Sequence, residues 1–193
     1  MGIQLLHGKN PFKSDKTRID IKWDKPPNGT IKLNIDGAFS SNNKVAGLGG
    51  TFKNSNGDWI VGFHKVSHAI SPTHAELMAL QEGLKVAKEM NFQNMEIETY
   101  CTEVVKLIYE DSYNFSNIVN ECRWLMHQLK PPPPPLLKHN FREGNAVAHV
   151  LAKEAIKNPS STKCFYHARP PFFVEQEVYF YFCLLLSSSN YGQ

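Results

Sequence analysis

Apolar and polar residues alternate in a way that predicts three strands at the start of the ordered region. The segment 31–36 reads Ile-Lys-Leu-Asn-Ile-Asp, which has the period of a half-buried strand, and we expect this strand to end at Asp36. A second strand leads into the pair Asn56-Gly57, a strong hairpin signal. A third strand then returns over residues 59–63. The chain therefore begins its fold as consecutive, hairpin-connected strands.

The period then changes to three and four residues, which predicts helices. The first helix is expected to begin near Pro72 and end near Asn91, with Thr73 and Glu76 at the spacing of a capping box. The remaining predicted elements are a strand at 95–100, helices at 101–111 and 117–129, a strand at 137–141 and a last helix at 145–157. This order predicts an α/β fold in which helices pack on a mixed sheet.

Changes in composition divide the chain into three parts. We expect an N-terminal tail at 1–22, one domain at 23–158 and an atypical C-terminal tail at 159–193. Five prolines at 131–135 favour an extended spacer before the last predicted strand. The apolar run at 178–186 predicts aggregation unless it packs on the domain, and it is far shorter than the roughly 20 residues of a membrane-spanning helix. We expect no membrane partner.

Composition narrows the class of protein further. With 193 residues, 41% of them hydrophobic, the chain can bury the core of one ordinary domain. A net charge of +3 permits a polyanionic partner without requiring one. The 4 cysteines form no CxxC pair, which favours a reduced compartment, and the first residues lack the pattern of a secretory signal. We therefore expect a cytoplasmic or nuclear protein that is not secreted.

Four ordered motifs, preceded by Trp-x-x-Pro-Pro from Trp23, carry a family resemblance. They are Lys-Leu-Asn-Ile-Asp-Gly-Ala-Phe at 32–39, His-Ala-Glu-Leu-Met-Ala-Leu at 74–80, Glu-Thr-Tyr-Cys at 98–101 and Arg-Glu-Gly-Asn-Ala-Val-Ala-His-Val-Leu-Ala-Lys at 142–153. Together they resemble the plant ribonuclease H-like domain family, type 1, which is related to the ribonuclease H domain of non-LTR retrotransposon reverse transcriptases. The resemblance implies a ribonuclease H-like fold with a five-stranded sheet, three strands antiparallel and then two parallel.

The resemblance also implies a catalytic site that uses divalent metal ions. Family enzymes hydrolyse the RNA strand of an RNA:DNA hybrid with clustered acids that hold Mg²⁺ or Mn²⁺, and Asp36 and Glu76 match two of four such positions. Tyr100 and His149 stand at the other two. A phenol is a poor Mg²⁺ ligand, and an imidazole nitrogen suits Mn²⁺ or Zn²⁺ better. We expect loss of two acids to impair the two-ion site.

Nearby acids are weak substitutes for the missing ligands. Glu98 shares a strand face with Tyr100 but lies about 6.6 Å along it, and Glu143 could reach inward from its loop. Simpler readings also stand for the matched positions. Asp36 could be a turn residue, Tyr100 a space-filling strand residue and His149 a partly exposed helix residue.

The expected partner is nucleic acid, either an RNA:DNA hybrid or RNA, bound by a monomer. By resemblance, the candidate nucleic-acid-binding residues are Gly37, Ala38, Ser40, Thr73 and Arg142. Such a surface would contact phosphates and 2′-hydroxyls with little base readout.

Three hypotheses follow for the function of the domain. The first is a nucleic-acid-binding module with impaired cleavage. The second is an active ribonuclease with a reduced metal site. The third is a non-catalytic protein-interaction scaffold in which the proline tract is a ligand.

Overall fold

The computed structural model describes residues 23–129, 134–157 and 159–176. The predicted N-terminal tail, most of the proline tract and the apolar run at 178–186 lie outside these residues. In chain order the elements are β1 Ile31–Ser40, β2 Val45–Lys53, β3 Trp59–His68, α1 Pro72–Glu89, β4 Met95–Thr99, α2 Thr102–Tyr109, α3 Ser116–Gln128, β5 Leu136–His139, a 3-10 helix Arg142–Asn145, α4 Ala146–Lys157 and β6 Cys164–His167. Within the described part, no helix combines the length and the apolar character needed to cross a membrane.

One six-stranded sheet organises the fold, with its strands in the order β5-β4-β1-β2-β3-β6. The first three strands are antiparallel neighbours, and β4 and β5 add to β1 in parallel. The predicted α/β class with a mixed sheet is confirmed, but the predicted count of five strands is one too few. The additional strand, β6, pairs antiparallel with β3 and comes from the segment predicted as a tail. Four residues are too few to show the alternation of a strand in the sequence. This segment is a strand because it pairs with the edge of the sheet at β3.

Two local predictions near the site are wrong in detail. Strand β1 continues past Asp36 to Ser40, because β2 pairs with it up to the Ser40–Val45 pair. Asp36 is therefore inside a strand. The N-cap of α1 is Ser71, whose side chain accepts a hydrogen bond from the His74 backbone N–H. Glu76 has no capping role and is buried instead.

The face of the sheet that carries α1, α2 and α3 is apolar. Leu33 and Ile35 of β1 point into this core, where α1 supplies Leu77, Leu80 and Leu84. Each large apolar side chain buried in this way stabilises the fold by about 1.5–3 kcal/mol. The remaining large members of the same core include Phe52, Phe63, Ile97, Val104, Leu107, Ile108, Leu125 and Leu137.

The opposite face of the sheet holds α4, which packs on it through small residues. A Cβ atom at Gly47 or Gly49 would collide with the α4 backbone at Ala152, and one at Gly49 would also lie 2.5 Å from the carbonyl oxygen of Ala148. Helix and strand backbones are therefore nearly in contact. Because of this close approach, the first turns of α4 lie over the centre of β1 and contact it.

Replacing Gly49 by alanine should lower the free energy of unfolding by about 1–3 kcal/mol, because the added methyl group forces α4 away from β2. Thermal or urea unfolding of the Gly49→Ala variant measures this. Ser67→Ala on β3 is the matched control and should change stability little. An unchanged unfolding midpoint for Gly49→Ala would contradict the packing described above.

Candidate functional site

Asp36 is the centre of the candidate site. It lies in the middle of β1, on the face that α4 covers, and is 4% exposed. His149, in the first turns of α4, places its Nδ1 atom 3.1 Å from Oδ2 of Asp36. An ionised carboxylate can only accept hydrogen bonds, so the imidazole Nδ1–H donates to it. Two of the predicted site residues, His149 and Asp36, are thus in direct contact.

The contact with Arg142 indicates which nitrogen of the His149 ring carries the proton. Its Nη2 atom lies 3.4 Å from Nε2 of His149, and a guanidinium has donors only. Nε2 therefore faces Arg142 as an acceptor, and Nδ1 carries the proton. Arg142 is exposed at the start of the 3-10 helix, so a permanent positive charge lies at the mouth of the site.

Glu76 reaches the site from the first turns of α1 and is 6% exposed. A Cβ at Gly37 would lie 2.5 Å from the backbone nitrogen of Glu76, so β1 and α1 are also in close contact here. Burial, and secondarily the charge of Asp36, raise the pKa of Glu76 to about 9. Hydrogen bonds from the Gly37 backbone and the Thr99 hydroxyl act in the opposite direction and lower this pKa. Its Oε2 atom is buried and has no hydrogen-bond partner among the described residues. Glu76 is therefore protonated at neutral pH.

Tyr100 follows the last residue of β4. Thr99 pairs in parallel with Ile35, so Tyr100 lies beside Asp36 at the next position along the two strands. The side chain is 46% exposed. A phenol that stays neutral at pH 7 supplies no charge for a cation.

These donors do not fit a site for two divalent ions. One oxygen of Asp36 is bound to His149, and Glu76 holds a proton at neutral pH because its pKa is raised to about 9. Two Mg²⁺ ions need several carboxylate oxygens in near-octahedral geometry. Among residues 23–129, 134–157 and 159–176, no group of three or more His, Cys, Asp or Glu side chains is arranged to hold a metal ion.

Glu98 does not replace the missing ligand, because its oxygens are already bound. Oε1 forms a salt bridge with the buried Lys32, and Oε2 accepts hydrogen bonds from the amides of Asn34 and Asn140. Lys32 also binds Glu96 at 3.0 Å. Glu98 therefore belongs to a buried polar network that joins β1, β4 and the end of β5.

The predicted nucleic-acid-binding residues surround Asp36 and Glu76. Gly37, Ala38 and Ser40 continue β1 beyond Asp36, and all three are partly exposed. Thr73 is partly exposed in the first turn of α1, and Arg142 is fully accessible beside His149. Their shared location agrees with one surface, while their binding role stays a prediction.

Sequence reasoning gave no role to Asn145, although it lies within a family motif. Its Nδ2 atom donates a hydrogen bond of 2.8 Å to the carbonyl oxygen of Ile35, the residue before Asp36. Asn145 thus ties the entry of α4 to β1 and fixes His149 relative to Asp36. The motif alone could have marked Asn145, but only the fold shows its partner.

The raised pKa of Glu76 predicts a pH-dependent stability. The pKa of Glu76 is about 9 in the folded state and near 4.5 in the unfolded state. The contribution of Glu76 to the free energy of unfolding is therefore fully present below about pH 4.5 and is lost as pH rises through about 9. Glu76→Gln removes this titration, and the variant should lose stability less steeply than the parent between these values. Thermal unfolding across pH measures the difference, with Glu89→Gln at the exposed end of α1 as control. Parallel curves for parent and Glu76→Gln would contradict the assignment.

Comparisons with known proteins agree with this fold. The family model described as reverse transcriptase-like matches residues 34–155. A protein of Arabidopsis thaliana, named as a candidate ribonuclease H protein, is 30% identical over 144 residues, which cover 70% of this chain and 22% of that protein. The chain therefore spans about a fifth of the length of this relative.

Solved structures show the same fold at low identity. Ribonuclease H1 from the halophilic archaeon Halobacterium salinarum has a TM-score of 0.62 at 22% identity and covers 67% of this chain and 99% of its own. The compost-derived LC11 ribonuclease H1, in a structure with RNA/DNA hybrid, has a TM-score of 0.60 at 19% identity and covers 68% and 99%. The family model spans well over half of the chain. The chain belongs to the reverse transcriptase-like family of ribonuclease H-like domains.

Proposed function

We propose that this domain binds nucleic acid, either RNA:DNA hybrid or RNA, and that its cleavage activity is impaired. The observation that carries the proposal is the hydrogen bond between His149 and Asp36. At a position where the family resemblance implies an acid, this chain has an imidazole that occupies an oxygen of Asp36. Tyr100 removes a second acid from the same site.

Charge explains why this change impairs cleavage. A two-ion site brings four positive charges to the phosphate, and the protein must offset most of them. Here Asp36 supplies one negative charge and Glu76 is protonated. Losing a residue that only supports a metal ligand already costs about 10–100-fold in affinity or activity, so losing two direct ligands costs more.

Binding does not depend on the same groups. Arg142 is exposed at the mouth of the site, and Lys153 is exposed one helical turn beyond His149. Gly37 and Ala38 are partly exposed next to Asp36 on β1. Phosphate contacts of this kind supply most of the affinity of nucleic-acid-binding proteins. A relative of the same fold was solved with RNA/DNA hybrid, which supports the choice of ligand.

Restoring both acids should restore cleavage. The double variant Tyr100→Asp plus His149→Asp should cut a labelled RNA:DNA hybrid with Mg²⁺ or Mn²⁺ at least about 100-fold faster than the parent. Gel analysis of the products measures the rate. Asp111→Asn, which changes an exposed acid away from the site, should leave the parent rate unchanged.

Two outcomes would contradict the proposal that the loss of two acids impairs cleavage. The first is rapid, metal-dependent cleavage by the parent that Asp36→Asn abolishes, which would mean that a minimal site works. The second is a double variant that folds and binds hybrid but remains inactive, which would mean that the fold lacks more than two acids.

Hybrid binding should weaken steeply with salt. Each phosphate that the protein neutralises adds about −0.9 to the slope of log K against log salt, so Arg142→Gln should reduce the magnitude of the slope by about 1. Fluorescence anisotropy with a labelled hybrid measures the slope, and Arg169→Gln, on an exposed turn beyond β6, is the charge-matched control. Absence of hybrid binding at low salt would refute the binding proposal and favour a scaffold.

A further inference from the structure

A small cavity separate from the Asp36 site lies between α4 and the sheet. Its volume is about 130 Å³, and we call it the α4 chamber. The chamber is lined by Trp23, Asn34, Thr51, Lys53 and the backbone segment 144–148. This volume is enough for ordered water or for one small polyatomic ion.

Two buried polar atoms in the lining have no partner within the described part of the chain. They are the hydroxyl of Thr51 and the Oδ1 atom of Asn145, in residues that are 1% and 2% exposed. Leaving such atoms unpaired is unfavourable, because burial has removed their hydrogen bonds to water. Asn145 cannot rotate to satisfy Oδ1, because its Nδ2 is held by the Ile35 carbonyl. The chamber thus presents a fixed acceptor and a hydroxyl to whatever fills it.

The polar cluster around the chamber has one positive charge too many. Lys32 and Lys138 form salt bridges with Glu96, and Lys32 also binds Glu98. Lys53 pairs with Lys32 across β1 and β2 but forms no salt bridge with a described residue. Three lysines therefore face two glutamates. The unmatched charge belongs to Lys53, which lines the chamber.

The surroundings of Lys53 favour an anion. Burial, and secondarily the charge of Lys32, lower the pKa of Lys53, so the ammonium lacks the stabilisation that a counter-ion would give. Its Nζ atom lies 4.6 Å from the centroid of the Trp23 ring, which covers one side of the charge without neutralising it. The other side remains for a ligand in the chamber.

We propose that the α4 chamber binds a phosphate group that carries at least one P–OH. The negative oxygens would accept from Lys53 and from the Thr51 hydroxyl, and the P–OH would donate to Oδ1 of Asn145. Sulfate has no O–H at neutral pH, so it would place an acceptor oxygen against the acceptor Oδ1 of Asn145 and form no hydrogen bond there. The group comes either from free inorganic phosphate, which keeps a P–OH at neutral pH, or from the terminal phosphate of a nucleic acid strand bound as its monoanion, which also carries one P–OH.

Titration of the full chain with sodium phosphate, sulfate or chloride at matched ionic strength tests the proposal. Phosphate should raise the thermal unfolding midpoint saturably, and sulfate should bind about tenfold more weakly. Lys53→Gln should abolish the phosphate effect, and Thr51→Val should weaken phosphate affinity about tenfold. Lys163→Gln, an exposed lysine just before β6, should leave phosphate binding unchanged.

Three results would overturn the proposal. They are a phosphate effect no larger than that of chloride, equal binding of sulfate and phosphate, and an effect that survives both Lys53→Gln and Thr51→Val. A readout on the parent chain covers the case in which a variant fails to fold. In NMR spectra, the Asn145 side-chain amide and the Thr51 backbone amide should shift with phosphate, and unshifted signals would refute the site.

Oligonucleotides separate the two sources of the phosphate. A strand with a 5′-phosphate should outcompete its 5′-hydroxyl counterpart only if the source is a strand end, and Lys53→Gln should then erase the difference. Equal binding of the two strands assigns the chamber to free phosphate. Because the chamber does not include Asp36, Glu76 or Arg142, failure of hybrid binding would leave this result standing.

Discussion

The contact between α4 and the glycines of β2 is the constraint on which the rest of this structure depends. With hydrogen in place of Cβ at Gly47 and Gly49, the α4 backbone at Ala148 and Ala152 can approach β2 closely. That approach buries the polar side chains of β1, brings His149 to Asp36 and encloses the α4 chamber. A larger residue at either glycine would loosen all three features together.

The two faces of the sheet therefore differ in the kind of side chain that they bury. Under α1 the strands present apolar side chains that form one continuous core. Under α4 they present charged and amide groups, and Lys32 is held by Glu96, Glu98 and the backbone carbonyl of Asp24. Buried ion pairs add little net stability against an apolar alternative, whereas removing one partner is costly. The network fixes the positions of β1, β4 and β5 around the site more than it stabilises the fold.

The candidate site is held by contacts between protein groups. Asp36, Glu76 and the entry to α4 keep the strand and helix positions that the family resemblance implies. His149 then satisfies Asp36 with a hydrogen bond, and Glu76 avoids a second buried charge by holding a proton.

Periodicity by itself determined the α/β class and the positions of most elements, and the residues of the candidate site were proposed from the family resemblance that the motifs carry. These signals are local, and the strand and helix periods survive whatever the elements pack against. The same signals misjudged β1, where Lys32, Asn34 and Asp36 read as the exposed side of a half-buried strand and are in fact buried. They also missed β6, whose four residues become a strand only by pairing with β3. The His149–Asp36 contact and the α4 chamber join residues far apart in the chain, so only tertiary packing decided them.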